Sequence, residues 1–97
     1  MIPPRGDGWT DVAVSEWELV RAGWADHHPH TETNVVLDGR LHVECQGVTV
    51  VAGPGDTVQV PAGCAGHYWA PEYARMLAVY GPNPAAEESD LIGYWEL

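Results

Sequence analysis

Lysine and phenylalanine are both missing from this 97-residue chain, whose only strong bases are Arg5, Arg21, Arg40 and Arg75, set against fourteen acids. The formal net charge of −10 repels phosphate backbones and anionic headgroups, so partners of nucleic acid or membrane surface are not expected. Long apolar runs are lacking too, and no segment approaches the roughly 18 residues of a membrane span. The opening MIPPRGDGW has neither the charged start nor the apolar run of a secretory signal, which points to a cytoplasmic location. Cysteine is scarce: Cys45 and Cys64 form no C-x-x-C pair and are expected as reduced thiols in a cytoplasmic chain. Without phenylalanine, five tryptophans and four tyrosines must supply the aromatic part of any core.

Glycine and proline are plentiful, eleven and eight respectively, and they punctuate short runs with the alternation or β-branched content of strands. The expected strands are Thr10–Val14, Trp17–Ala22, Asn34–Leu37, Arg40–Cys45, Val48–Ala52, Thr57–Pro61, Gly66–Trp69, Arg75–Tyr80 and Leu91–Glu96. Asp38-Gly39 reads as a hairpin turn and Gln46-Gly47 as a second, because glycine accepts positive φ without steric conflict. Gly53-Pro54-Gly55-Asp56 is a rigid reversal, and Pro61-Ala62-Gly63 ends a strand. Helix signals are few; Pro84–Asp90 could form a single turn. Many short strands with tight turns imply a single all-β domain over residues 1–97, a barrel or sandwich. A chain this short buries only about 60–65% of its unfolded surface. A homodimer is therefore expected, its terminal segments (around Asp11–Val20 and Leu91–Leu97) padding or extending the partner's sheet.

Polar chemistry gathers in one stretch. His27, His28, His30 and Glu32 fall within six positions, with Asp26 just before them. Imidazole and carboxylate together suit a divalent transition metal. In an extended segment Asp26, His28, His30 and Glu32 project to one face and His27 to the other. His67, at the end of PAGCAGH, is a second and separate candidate.

From Gly23 to Gly81 the chain resembles the cupin family. Glu32, six residues and Gly39 match the end of the first cupin motif, which spans about 23–39; Gly55, five residues, Pro61, one residue and Gly63 open the second, about 55–67. The segments LDGRLHV and VVAGPGD also resemble, more loosely, the small cupins of ethanolamine utilisation. The resemblance implies a double-stranded β-helix, the cupin or jelly-roll barrel. It also implies metal ligands at Glu32, at His28 as the second histidine of an H-x-H pair, and at His67. The first histidine of that pair falls on Asp26, and three residues separate Gly63 from His67 where two are usual. Asp26 is a competent oxygen ligand, and His30 would substitute for it if the strand bulges at Pro29.

Two functions follow as expectations. The first is a metal-dependent enzyme of isomerase, lyase or dioxygenase type, acting on a small polar organic molecule. Its cofactor would be Fe, Mn, Zn or Ni, held by Asp26, His28, Glu32 and His67. Trp69 would then wall the substrate cavity and Arg75 would hold a substrate carboxylate. The second is a small-molecule-binding cupin or accessory subunit that needs no metal, which the departures at Asp26 and before His67 favour. An acetate-kinase-like role, by analogy with the ethanolamine cupins, lacks a phosphate-cradling glycine loop ahead of a helix. Whether the protein is an enzyme stays open at this level.

Overall fold

The computed structural model describes residues 13–27, 31–81 and 90–97, and every regular element among them is a strand. These are β1 (Ala13–His27), β2 (Glu32–Gly39), β3 (Leu41–Cys45), β4 (Val48–Ala52), β5 (Thr57–Val60), β6 (Ala65–Tyr80) and β7 (Asp90–Glu96). The expected strand at Thr10–Val14 lies partly outside the described residues, as does most of the helical turn at Pro84–Asp90, whose last residue begins β7.

Two long strands organise everything else. β1 and β6 pair antiparallel from Ala13↔Tyr80 to His27↔Ala65. Each replaces two separate strands expected from the sequence. The expected strands left gaps at Ser15-Glu16 and around Pro71, but the pairing carries through both and absorbs the irregularity as a bend. Arg21 drops out of the ladder between Val20↔Tyr73 and Ala22↔Ala70 with a φ of +44°, opposite Pro71 and Glu72. Proline has no N–H to give the ladder, so the irregularity falls where one pairing bond is already lost.

The bend divides one continuous ladder into two facing sheets. On one side of it the order is β4-β3-β6-β1-β7, and on the other β2 pairs with β5 and with the second half of β6. This is the expected all-β, double-stranded β-helix, with its core between the sheets. Residues alternate in and out: along β6, Gly66, Tyr68, Ala70, Ala74, Met76 and Ala78 are buried. Leu41 and Val43 from β3, Val36 from β2 and Leu19 from β1 meet them in the same cluster.

The turns divide according to whether the chain stays in its sheet. Gln46-Gly47 is a true hairpin, with φ of +53° and +76° joining Cys45↔Val48, the two-positive-φ geometry that suits strand twist. Asp38-Gly39 is not a hairpin, which corrects the expectation: β2 pairs with β5 and β6, while β3 pairs with β4 and β6. The chain there crosses from one sheet to the other against the bend of β6. The Arg40 amide donates to the Tyr73 carbonyl at 2.9 Å, and a Cβ on Gly39 would run into that same carbonyl. The sandwich carries several grooves. One, of about 600 Å³, lies by β4 and β5 and is lined by Val48, Val50 and Val58 among others. A second, of about 530 Å³, is lined by Arg40, His42 and Tyr73 among others. A third, of about 410 Å³, lies between β7 and the first half of β1.

Gly39 and Gly47 both have positive φ, +77° and +76°, but only Gly39 faces backbone at close range, since nothing lies within 4 Å of a Cβ on Gly47. Gly47→Ala is therefore expected to cost about 1–2 kcal/mol, the left-handed penalty alone. Gly39→Ala, which adds a steric clash, should cost upwards of about 3 kcal/mol. Urea denaturation of the two variants separates these values, and equal losses would refute the role of the Gly39–Tyr73 crossing.

Candidate functional site

The second half of β1 presents Ala22, Trp24 and Asp26 inward, opposite Ala70, Tyr68 and Gly66 of β6. The start of β2 presents Glu32 and Asn34 inward, opposite Val60 and Val58 of β5. Asp26, Glu32 and Asn34 are 6%, 7% and 1% exposed, the buried polar side chains of the described residues. A buried carboxylate needs hydrogen-bond donors, and two indoles begin to supply them. Trp24 Nε1 donates to Asp26 Oδ2 at 2.6 Å. Trp17 Nε1 donates to Asn34 Oδ1 at 2.8 Å, and Asn34 Nδ2 in turn donates to Glu32 Oε1 at 3.2 Å. Each carboxylate is thus oriented by an indole N–H, directly for Asp26 and through an amide for Glu32.

Both carboxylates open onto the groove of about 410 Å³ between β1 and β7. Trp17, Trp24, Tyr80 and Tyr94 form its aromatic walls, with Ser15 and Glu18 at its edge. Trp24 and Tyr94 meet edge to face with centroids 6.2 Å apart. The result is an acidic floor between flat apolar faces, with no Arg or His among the described residues that line it.

Tyr68 closes the interior behind this floor. It is 1% exposed and meets Trp17 edge to face at 5.6 Å. Its hydroxyl has no hydrogen-bond partner among the described residues. Burial, followed by the charges of Glu32 and Asp26, pushes its pKa far above the ordinary 10.0, so the phenol stays neutral. Its hydroxyl also lies 2.9 Å from where a Cβ on Gly66 would stand, which leaves room for nothing larger than glycine at that position.

The expected metal ligands separate. Asp26 and Glu32 face the interior, while His28 and His30 lie outside the described residues. His67 does not share their face. Because Gly66 and Tyr68 are buried inward, the intervening His67 must point to the opposite face. The physical reason is the extra residue after Gly63: one added position reverses the side to which every following side chain turns. With two residues after Gly63, the inward position is Gly66, and the Tyr68 ring occupies the space above it. Among the described candidates, Asp26 and Glu32 thus share the interior, while His67 lies on the opposite face of β6. Among the described residues no three His, Cys, Asp or Glu side chains group to hold a metal ion.

The expected substrate residues are also displaced. Trp69 shares the outer face with His67 and stacks on His42 at 5.3 Å, so it does not wall the interior. Arg75 forms a surface ion pair with Glu16 at 3.3 Å. His27 faces out as expected, its Nε2 3.0 Å from the Gly63 carbonyl oxygen. The residues that sequence reasoning missed are Asn34, Trp17, Trp24, Tyr68, Tyr80 and Tyr94. Alternation would have found Asn34 from Glu32 and Trp24 from Asp26. Nothing local distinguishes Tyr68 from His67.

A family model described as a cupin domain matches residues 17–80. Acetate kinase EutQ of Salmonella typhimurium is 31% identical over 67 residues, covering 69% of this chain and 28% of that protein. The chain thus spans well under half the length of that curated relative. A crystal structure of a putative ethanolamine utilization protein Q from Salmonella typhimurium superposes with a TM-score of 0.70 at 29% identity, over 75% of this chain and 59% of that one. The Clostridium difficile EutQ structure gives 0.68 at 25% identity, over 73% and 56%. An uncharacterised conserved protein with a double-stranded β-helix domain from Klebsiella pneumoniae gives 0.71 at 20% identity, over 87% and 76%, a likeness of fold alone. No helix among the described residues is long and apolar enough to cross a membrane.

Tyr68→Phe should raise stability by about 1 kcal/mol at neutral pH, because it removes a buried hydroxyl without a partner. Below about pH 10 the hydroxyl is protonated in both folded and unfolded chains; above it only the unfolded chain ionises. The parent protein therefore loses stability as pH rises beyond that point, and the Phe variant should lose less. Chemical denaturation at pH 7, 9, 10 and 11 measures both effects; a destabilised variant with an unchanged alkaline slope would contradict the assignment.

Proposed function

The chain belongs to the cupin domain family, and from that premise we propose that it binds a small polar organic molecule in the groove between β1 and β7. The observation that carries this reading is the pair of buried carboxylates, each oriented by an indole N–H, facing an aromatic-walled space of about 410 Å³. That volume falls within the ordinary range for small-molecule sites. Carboxylates accept hydrogen bonds from ammonium and hydroxyl groups, and aromatic faces favour cations and flat apolar surfaces. The matching ligand is an amine, amino alcohol or polyol. Carboxylate and phosphate compounds would meet the acidic floor with like charge.

The ethanolamine utilisation named for the structural relatives is compatible with such a ligand. The kinase activity named for the Salmonella relative is not carried over, because the shared region is 28% of that protein. No glycine loop precedes a helix among the described residues to cradle a phosphate. The same carboxylates also support a second reading. A buried carboxylate can serve as general base for an isomerase or lyase.

Thermal shift and calorimetry with a panel of amino alcohols, polyols and dicarboxylates test the binding reading. Amines or polyols should raise Tm and dicarboxylates should not. Glu32→Gln and Asp26→Asn should each weaken binding by about tenfold or more, the loss of one charge-assisted hydrogen bond. His67→Ala should leave the affinity unchanged. Tighter binding of dicarboxylates, or loss of binding in His67→Ala, would overturn the reading.

A further inference from the structure

The two cysteines lie at neighbouring points on the valine-lined side of the barrel. Cys45 ends β3 and Cys64 sits in the turn just before β6. β3 and β6 are paired as far as Glu44↔His67, so the next step of the ladder brings the end of β3 beside the start of β6. Cys45 follows the buried Val43 on the inner face and lines the groove of about 600 Å³. Burial, followed by the neighbouring Cys64 thiol, raises the pKa of Cys45. Gln46 Nε2 donates to Cys64 Sγ at 3.1 Å. Both cysteines are free and partly exposed, and both pack against the core cluster.

Sequence spacing favoured two unrelated thiols, whereas the pairing of β3 with β6 brings them to neighbouring positions beside an open groove. We propose that Cys45 and Cys64 are a reversible dithiol–disulfide pair, oxidised by a small-molecule disulfide of the glutathione type. Thiol exchange proceeds through the thiolate. Cys64 sits in the turn ahead of β6, where the Gln46 amide holds its sulfur by a hydrogen bond of 3.1 Å, and is the attacking sulfur. Cys64 loses its proton and attacks one sulfur of the external disulfide. A mixed disulfide forms and one small thiolate leaves, taking up a proton. Cys45 then loses its proton and attacks the Cys64 sulfur, so the protein disulfide forms and the second small thiolate leaves and is protonated. Two electrons pass from the two protein thiols to the external disulfide, which ends as two thiols.

The bond would tie the end of β3 to the start of β6 and close a loop containing β4 and β5. Those strands flank the groove, so oxidation would hold that side of the barrel. Val43 pairs with Tyr68, and Cys45 lies two residues further along the same face of β3, which puts it behind the floor of the candidate site. The inference is independent of which ligand the other groove takes.

The test treats the purified full chain with oxidised glutathione and then reads intact mass, free-thiol titration and thermal unfolding. The expected product is monomeric by non-reducing electrophoresis, about 2 Da lighter, and without free thiols. Its Tm should be higher by roughly 5 °C or more, as loop closure of this length implies. Dithiothreitol should reverse all of these changes. Cys45→Ser should stop at a glutathione adduct on Cys64, and Cys64→Ser should leave Cys45 largely unmodified. Two persistent free thiols, stable adducts without a cross-link, or a disulfide between two chains would each overturn the proposal.

Discussion

The structure depends on the uninterrupted pairing of β1 with β6. That ladder runs from Ala13↔Tyr80 to His27↔Ala65 and, among the described residues, is the only one shared by both sheets. Its bend at Arg21, opposite Pro71 and Glu72, turns a single ribbon into two facing layers. Every other strand is placed by it: β2, β3 and β7 dock directly on its flanks, and β4 and β5 follow from β3 and β2. The crossing at Gly39 is possible because glycine lets the chain lie on the Tyr73 carbonyl. A small domain can hold such a barrel because most of its hydrogen bonding is satisfied within this one frame.

The same frame explains how a chain of net charge −10 buries two carboxylates. The lack of phenylalanine means that its large aromatic side chains all carry a polar tip. Trp17 and Trp24 turn theirs toward Asn34 and Asp26, so aromatic packing and carboxylate solvation are provided by the same residues. Tyr68 supplies bulk above Gly66 while its hydroxyl remains neutral among charges. The interior is therefore polar at one end and aliphatic at the other, where Val36, Leu41 and Met76 lie. That asymmetry gives the β1–β7 groove its chemistry and leaves the β4–β5 groove lined largely by valines.

Strand content, most turn positions and the inward direction of Asp26 and Glu32 were legible locally, because alternation and glycine conformation act over a few residues. Gln46-Gly47 is a hairpin because its neighbours pair in register, and the dipeptide alone announced it. Asp38-Gly39 carries an equally strong hairpin signal, but the partner of each flanking strand lies elsewhere in the chain. Pro71 and Ser15-Glu16 read as gaps between strands, since nothing local shows that a second long strand carries the ladder past them.

The sequence by itself determined an all-β chain with cupin spacing, an acid-rich surface, and two carboxylates on one face of the first motif. Only the tertiary structure decided which face of β6 is the interior. A period-two pattern specifies that His67 and Tyr68 oppose each other without saying which points inward. That choice is made by the register of β6 against β1, which seats Gly66 opposite Asp26 and Tyr68 opposite Trp24. Long-range pairing likewise brought Cys45 to Cys64, because contact between distant residues depends on the path of the chain rather than on their spacing along it.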